Sequence, residues 1–301
     1  MKAFLAELKQ TDVGKVMYDE PLSEYTTWKI GGPADVLIIP ENKDQLVSVV
    51  KLLHKHEVEW TNIGRGSNML VRDKGVRGVV IQLGAGFDYA QFDGKLVHAG
   101  AAYSLIKLSV LSGKEGLTGL EFAGGIPGSV GGAVYMNAGA LGSDVSRIFK
   151  SAEIVLETGE LVRYGIEEMG FSYRHSVLHE RPGIVVNVTL ELEQGDRKEI
   201  TATLAAYKER RLRTQPLQMA CAGSVFRNPP HDFAARLIQE AGLKGLRSGG
   251  AEVSTQHANF IVNAGQATAE DVLTLMATIR TTIKEQYGVD LVPEVLVVGE
   301  R

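Results

Sequence analysis

Gly124-Gly125-Ile126-Pro127-Gly128-Ser129-Val130-Gly131-Gly132, with Asn137-Ala138-Gly139 close behind, puts five glycines into nine consecutive positions. Backbone without Cβ atoms can approach a flat ring or a pyrophosphate closely and turn its amides toward it. A tight structural turn accounts for two such glycines rather than five, so the run reads as a ligand cradle. A second glycine-rich turn, Gly64-Arg65-Gly66-Ser67-Asn68, ends an upstream strand. It begins like a dinucleotide fingerprint, but Met69 stands where the third glycine belongs and no clean helix follows, which disfavours a Rossmann fold. No Gly-x-x-x-x-Gly-Lys-Ser/Thr occurs, which excludes a P-loop.

Outward from these loops, the apolar pattern predicts alternating elements. Asp35 to Pro40 reads as a buried strand, after which Asn42 caps a helix carrying Leu46, Val49, Val50 and Leu53 at helical spacing. Val79 to Leu83 adds a strand, and Ser104 to Ser112 a short helix stopped by Gly113. Ile154-Val155-Leu156 and Leu161-Val162 flank a turn, as in a hairpin, and Ile184 to Leu192 is a further strand. Helices follow at 197–212, 232–241 and 269–286. The last opens on a capping box, Thr268 with Asp271, buries Val272, Leu275, Met276, Ile279 and Ile283, and ends at Gly288. Val295 to Val298 closes the chain as a strand. In chain order this gives three parts: 1–82 joined by 289–301, then 83–194, then 195–288.

An apolar fraction of 44% and a charged fraction of 23% over 301 residues are those of an ordinary globular protein with room for several sub-domains. The net charge of −4 argues against nucleic acid as a partner. Lys208, Arg210, Arg211 and Arg213 crowd one predicted helix end, where they are either solvated and favoured by the dipole or in contact with an anionic ligand. The single cysteine, Cys221, excludes an intramolecular disulfide and a cysteine-cluster metal site, fits a reducing compartment and reads as a small buried filler. His175 and His179 stand four apart without a third ligand, so no metal is expected. Glu7, Lys9 and Asp12 interrupt the N-terminus, and no apolar stretch approaches the ~20 residues that span a bilayer. A cytoplasmic location without membrane insertion is expected, and nothing demands more than a monomer.

Three polar residues stand out. Arg174, between Tyr173 and His175, is by residue type an ordinary surface or ion-pair arginine, yet its guanidinium is also the group best shaped to clamp a carboxylate. Ser224 lies in the small-residue turn Cys221-Ala222-Gly223-Ser224 and lacks a Gly-x-Ser-x-Gly elbow, which argues against hydrolase chemistry. Glu294 follows Pro293 in an apolar segment, either as a strand-edge charge or as a partly buried carboxylate.

Trp28-Lys29-Ile30-Gly31-Gly32-Pro33-Ala34, the 64–68 turn and the Gly-Ile-Pro-Gly-Ser-Val-Gly-Gly run resemble, in order and spacing, the FAD-binding domain of the vanillyl-alcohol-oxidase type. With Tyr173-Arg174-His175-Ser176 and Ala222-Gly223-Ser224-Val225-Phe226 added, nearly the whole chain resembles the UDP-N-acetylenolpyruvoylglucosamine reductase (MurB) family. The run from Tyr173 to Gly183, leading straight into a strand, is similar to the shorter form of that family. The resemblance implies an α+β fold: a two-part FAD-binding domain and a smaller α/β substrate-binding domain. It further implies non-covalent FAD, NADPH as co-substrate and a UDP-sugar enolpyruvyl ether as substrate, in cell-wall precursor synthesis. The implied FAD contacts are Gly64, Arg65, Gly66, Ser67, Asn68, Gly124, Ile126, Pro127, Gly128, Ser129, Gly131, Gly132, Asn137 and Gly139. The implied catalytic residues are Arg174, Ser224 and Glu294; Tyr173, Asn228, His257 and Asn259 are implied substrate contacts. Two other readings keep parts of this evidence: an oxidase of small alcohols or sugars on the same FAD domain, and a flavin-binding module without activity. Against the first, the resemblance implies that oxidases of this fold lack the third part, 195–288, which carries the Ala222–Phe226 motif.

Overall fold

The computed structural model describes residues 1–301, which pack as two compact units. The first holds 1–18, 36–65 and 78–209; the second holds 19–35, 66–77 and 210–301. The grouping by packing thus differs from the chain-order division, because 19–35 and 66–77 join the C-terminal residues. The reason is burial. Trp28, Ile30 and Leu70 lie in one apolar cluster with Phe226, Leu237, Ile261, Leu275 and Leu291.

The first unit is built on a five-stranded sheet in the order Leu161–Gly165, Phe149–Leu156, Gly183–Glu191, Leu96–Gly100, Ala90–Asp93. All its pairings are antiparallel. Phe149, Ala152, Val185, Val188 and Leu190 from the middle strands meet Leu105 and Leu108 of the helix Leu105–Lys114 and Val130 and Val134 of the helix Val130–Tyr135. The predicted hairpin is present, with Ile154 opposite Val162 and Val155 opposite Leu161. The helix expected at Ser104 to Ser112 is present with Ser104 as its cap, but it continues through Gly113 to Lys114. Gly113 is tolerated there because a Cβ would strike Ile200 at 2.9 Å, so its absence serves packing rather than termination. Beside the sheet lies the α/β piece expected near the N-terminus. Asn42 caps the helix Lys43–Lys55, accepting from the Gln45 amide, and Trp60–Asn62 pairs in parallel with residues 79–81. Three residues separate the helical turn Val177–His179 from the strand Gly183–Glu191, with no room for an inserted loop.

The second unit has a four-stranded antiparallel sheet in the order Ala220–Cys221, Ile261–Asn263, Ala251–Val253, Arg247–Ser248. The helix Ala269–Tyr287 buries Val272, Leu275, Met276, Ile279 and Ile283, starts on the Thr268–Asp271 capping box and stops at Gly288 in a left-handed conformation, as the sequence predicts. Asp73 adds a cap from a distant segment, accepting from the Ala269 and Glu270 amides at 2.8 and 3.1 Å. Trp28 is fully buried, and its indole N–H donates to the Ile261 carbonyl at 2.8 Å. Met69–Val71 pairs in parallel with Leu296–Val298. No helix of the chain is long and apolar enough to cross a membrane.

Truncating Trp28 removes a large buried side chain and orphans a carbonyl. Trp28→Ala is expected to destabilise the second unit by about 3–5 kcal/mol, and Trp28→Phe by less because most apolar volume survives. Urea unfolding followed by circular dichroism checks this, and an unchanged midpoint for Trp28→Ala would remove 19–35 from that core.

Candidate functional site

In the first unit the two glycine-rich loops meet. A Cβ on Gly64 would lie 2.7 Å from the Ser129 hydroxyl oxygen, so the loops approach as closely as backbone allows. Ser129 is buried and caps the helix Val130–Tyr135, accepting from the Gly132 amide at 3.3 Å. Gly128 adopts φ +143°, which glycine alone supplies without strain. Other glycines in the run answer to the protein itself. A Cβ on Gly131 would meet Ala101 at 2.8 Å, one on Gly124 would meet Leu204 at 2.6 Å, and one on Gly139 would meet Asp144 at 2.6 Å. The run is therefore partly a packing requirement, which glycine counting does not separate from a ligand cradle. The Cβ-free approach of Gly64 to Ser129, beside the left-handed joint at Gly128, fits a flat, pyrophosphate-bearing group such as FAD.

Arg174 belongs to the same unit. Ser172 and His175 exchange backbone hydrogen bonds at 3.1 and 3.2 Å, so Tyr173 and Arg174 form the tip of a tight turn. Arg174 has φ +57°, at a position that usually takes Gly or Asn. Left-handed backbone costs an arginine roughly 1 kcal/mol, so the surroundings must hold it there. They do so in two places: the guanidinium donates to the Gly139 carbonyl at 2.7 Å, and buried Asn137 donates its side-chain amide to the Ser172 carbonyl at 2.9 Å while accepting from the Ser146 amide. Exposed Tyr173 stacks its ring under the guanidinium, 4.9 Å from centroid to Cζ. Below the turn the His175 and His179 rings stack at 4.8 Å, His179 stacks on Tyr135 at 4.2 Å, and His175 pairs with Glu180 at 2.7 Å. The spacing of His175 and His179 is visible in the sequence, but Tyr135, the third ring of the column, lies forty residues upstream and gives no local signal.

The second unit holds Gly66, Ser67, Asn68, Ser224, Asn228, His257, Asn259 and Glu294. Ser224 and Glu294 lie on paired segments. Phe226 bridges Pro293 in antiparallel fashion, the Glu294 amide donates to the Val225 carbonyl at 2.8 Å, and the Arg227 amide donates to Val292 at 2.9 Å. Both Ser224 and Glu294 are half-buried. Asn68 joins them, donating to the Glu294 carbonyl at 3.1 Å while its own carbonyl accepts from the Leu296 amide. Gly66 packs on Tyr25 and Thr26, and the Thr27 hydroxyl donates to Cys221's carbonyl at 2.7 Å. Thr27 has no outstanding sequence signal beyond its place before Trp28. Asn228 is exposed and caps the next helix, accepting from the Ala234 amide. Asn259 is buried, with its side-chain amide on the Phe226 backbone. Cys221 is half-buried, and burial pushes its thiol pKa up against the opposing Gly223 amide and Arg211. Arg211 donates to the Gln215 side chain at 2.8 Å, so this cation of the basic cluster has a neutral partner within the unit.

Two family models match the chain: the C-terminal domain of UDP-N-acetylenolpyruvoylglucosamine reductase over residues 215–298, and an FAD binding domain over residues 34–165. A UDP-N-acetylenolpyruvoylglucosamine reductase of Bacillus licheniformis is 54% identical over the full length of both chains, and that of Bacillus subtilis is 51% identical over 99% of each. Among solved structures, the MurB reductase of Thermus caldophilus superposes with a TM-score of 0.80 at 38% identity, covering 94% of this chain and 98% of that one. A berberine bridge enzyme variant described as a reticuline dehydrogenase matches with a TM-score of 0.51 at 12% identity, over 64% of this chain and 44% of that one, which is a likeness of fold.

Burial, and then Lys244, holds the His257 imidazole below its ordinary value of 6.5. Its Nδ1 accepts the Asn259 amide at 3.3 Å, which requires the neutral ring. A depressed histidine pKa in the folded state gives stability that is present above pH 6.5 and lost as pH falls through the folded value. His257→Gln should flatten the fall in denaturation midpoint between pH 7 and about pH 5 relative to the unaltered protein; an identical pH slope in the two proteins would refute this.

Proposed function

The chain belongs to the UDP-N-acetylenolpyruvoylglucosamine reductase family, and from that premise we propose how its own residues divide the work. It is an FAD-dependent, NADPH-driven oxidoreductase that reduces UDP-N-acetylglucosamine enolpyruvate to UDP-N-acetylmuramate, a precursor of peptidoglycan. Residues 64–68 and 124–139 would hold FAD, with Gly64, Gly128 and Ser129 leaving backbone open to it. Bound there, FAD supplies hydride transfer, from NADPH to the methylene carbon of the enolpyruvyl ether.

Hydride addition to that carbon drives negative charge toward the substrate carboxylate. Arg174 stabilises the charge where it develops, since a preorganised cation acts most strongly on charge that appears only in the transition state. Its strained turn and its bond to Gly139 support this role, because a guanidinium held in place needs no reorganisation during the reaction. Ser224 acts as general acid and delivers a proton to the carbon next to the ether oxygen, completing reduction of the double bond. Glu294 orients the reacting group. The observation that carries the assignment is the pairing of residues 225–227 with 292–294, which holds Ser224 and Glu294 on adjacent segments. Tyr173, Asn228 and His257 are assigned to substrate binding. NADPH and a UDP-sugar are polar cytoplasmic metabolites, which points to that compartment, and a monomer is the proposed working form.

Ser224→Ala is expected to leave reduction of bound FAD by NADPH unchanged while slowing substrate reduction about 100-fold or more. Stopped-flow absorbance resolves the two half-reactions, and equal slowing of both would overturn the role. Arg174→Lys keeps the charge but loses the two-pronged fork. It should cut kcat by roughly 10–100-fold with a smaller change in KM, as for a group acting on developing charge.

A further inference from the structure

We propose that Asn259 is a positioning residue for proton delivery, which rests on the reading of Ser224 as the general acid. The strand pairing that precedes Ser224 stops early. Ala220 and Cys221 pair with Asn263 and Val262, and beyond Cys221 the chain leaves the sheet. Two residues later comes Gly223, at φ +75° with open space around its Cβ position, the least constrained joint in this segment. Ser224 follows at once. On its amino-terminal side the last holds are Thr27 on the Cys221 carbonyl and buried Ala222, and the strand pairing no longer reaches it.

Asn259 supplies the missing edge from the other side. Its side-chain oxygen accepts the Phe226 amide at 3.0 Å, and its side-chain nitrogen donates to the Phe226 carbonyl at 2.8 Å. Its own main-chain carbonyl accepts the Val225 amide at 2.9 Å. One carboxamide thus does for Phe226 what a neighbouring strand would do. The opposite edge of the same residues is held by Val292, Pro293 and Glu294. Residues 225 and 226 are pinned on both sides, and Ser224 is their rigid amino-terminal extension. At 4% exposure, Asn259 acts through the backbone of Phe226.

Without the clamp, Gly223 becomes a hinge and the Ser224 hydroxyl loses its fixed relation to Glu294. A displacement near 1 Å costs about 100-fold in a step that depends on alignment. The test is transient kinetics on the FAD-loaded Asn259→Ala protein. Reduction by NADPH should stay within about twofold of the unaltered enzyme, while reoxidation by the enolpyruvyl substrate falls about 10–100-fold. The solvent deuterium isotope effect on reoxidation should rise, because proton delivery becomes more rate-limiting. Asn259→Gln keeps a carboxamide and should recover part of both, and it carries the kinetic test if the alanine variant does not fold. In FAD-free protein, amide exchange should lose protection at Val225 and Phe226. Equal slowing of both half-reactions, or reoxidation and isotope effect unchanged in both variants, overturns the inference. Ser224→Ala run alongside separates the two claims: if it too spares reoxidation, the general-acid reading falls, and if it alone is selective, only the role of Asn259 falls.

Discussion

The hydrogen bond from the Trp28 indole to the Ile261 carbonyl is the tie on which the second unit depends. It brings the 19–35 segment into a core otherwise made of Leu70 and residues after 210. Once Trp28 is fixed, its neighbours fall into place. Asn263 donates to the Trp28 carbonyl, Thr27 reaches Cys221, and the Thr27 amide donates to Gly66. That places the strand Met69–Val71 beside Leu296–Val298 and Asn68 beside Glu294. A fully buried indole has few ways to satisfy its N–H, so this one bond selects the arrangement from many that would bury the same apolar area.

Two asparagines show a common device. Asn137 and Asn259 are both buried, and both use the side-chain amide to satisfy backbone groups of a segment carrying a reactive residue: Ser172 in the Arg174 turn and Phe226 after Ser224. Neither segment is regular secondary structure, so neither could be held by a ladder of its own. A carboxamide offers one donor and one acceptor in a plane, the same pattern as a peptide unit. The Arg174 guanidinium shares in this work through its bond to the Gly139 carbonyl, and Arg174, Ser224 and Glu294 stay half-buried.

Most elements were legible from periodicity and caps. Asn42, Ser104 and Thr268 sit where side-chain oxygens begin helices, and Gly288 ends one. The family was legible in the motifs around Arg174, Ser224 and Glu294, and ligand contacts less so in the glycines, because a glycine needed for contact with Ala101 or Leu204 looks the same in sequence as one needed for a ligand. Asn259 shows the limit most clearly. The resemblance implies a substrate contact there, and nothing in the run His257-Ala258-Asn259 signals that the side chain is buried on the Phe226 backbone. The division into units was hidden for a related reason: the partners of Trp28 lie more than two hundred residues away, and no local pattern encodes such a distance.

The chain passes between the two units after Tyr18, Asp35, Arg65, Arg77 and Glu209. During synthesis the ribosome delivers residues in order, and domains complete in that order only when each is one continuous stretch. Here Trp28 waits for Ile261, 233 residues further on, and Met69–Val71 waits for Leu296–Val298. At ordinary elongation rates of about 5–20 residues per second, this apolar segment stays without its partner for on the order of ten seconds or more. The nascent segment is thus open to chaperones and proteases for that interval, and a ribosome that stalls before residue 296 leaves Met69–Val71 without its partner strand.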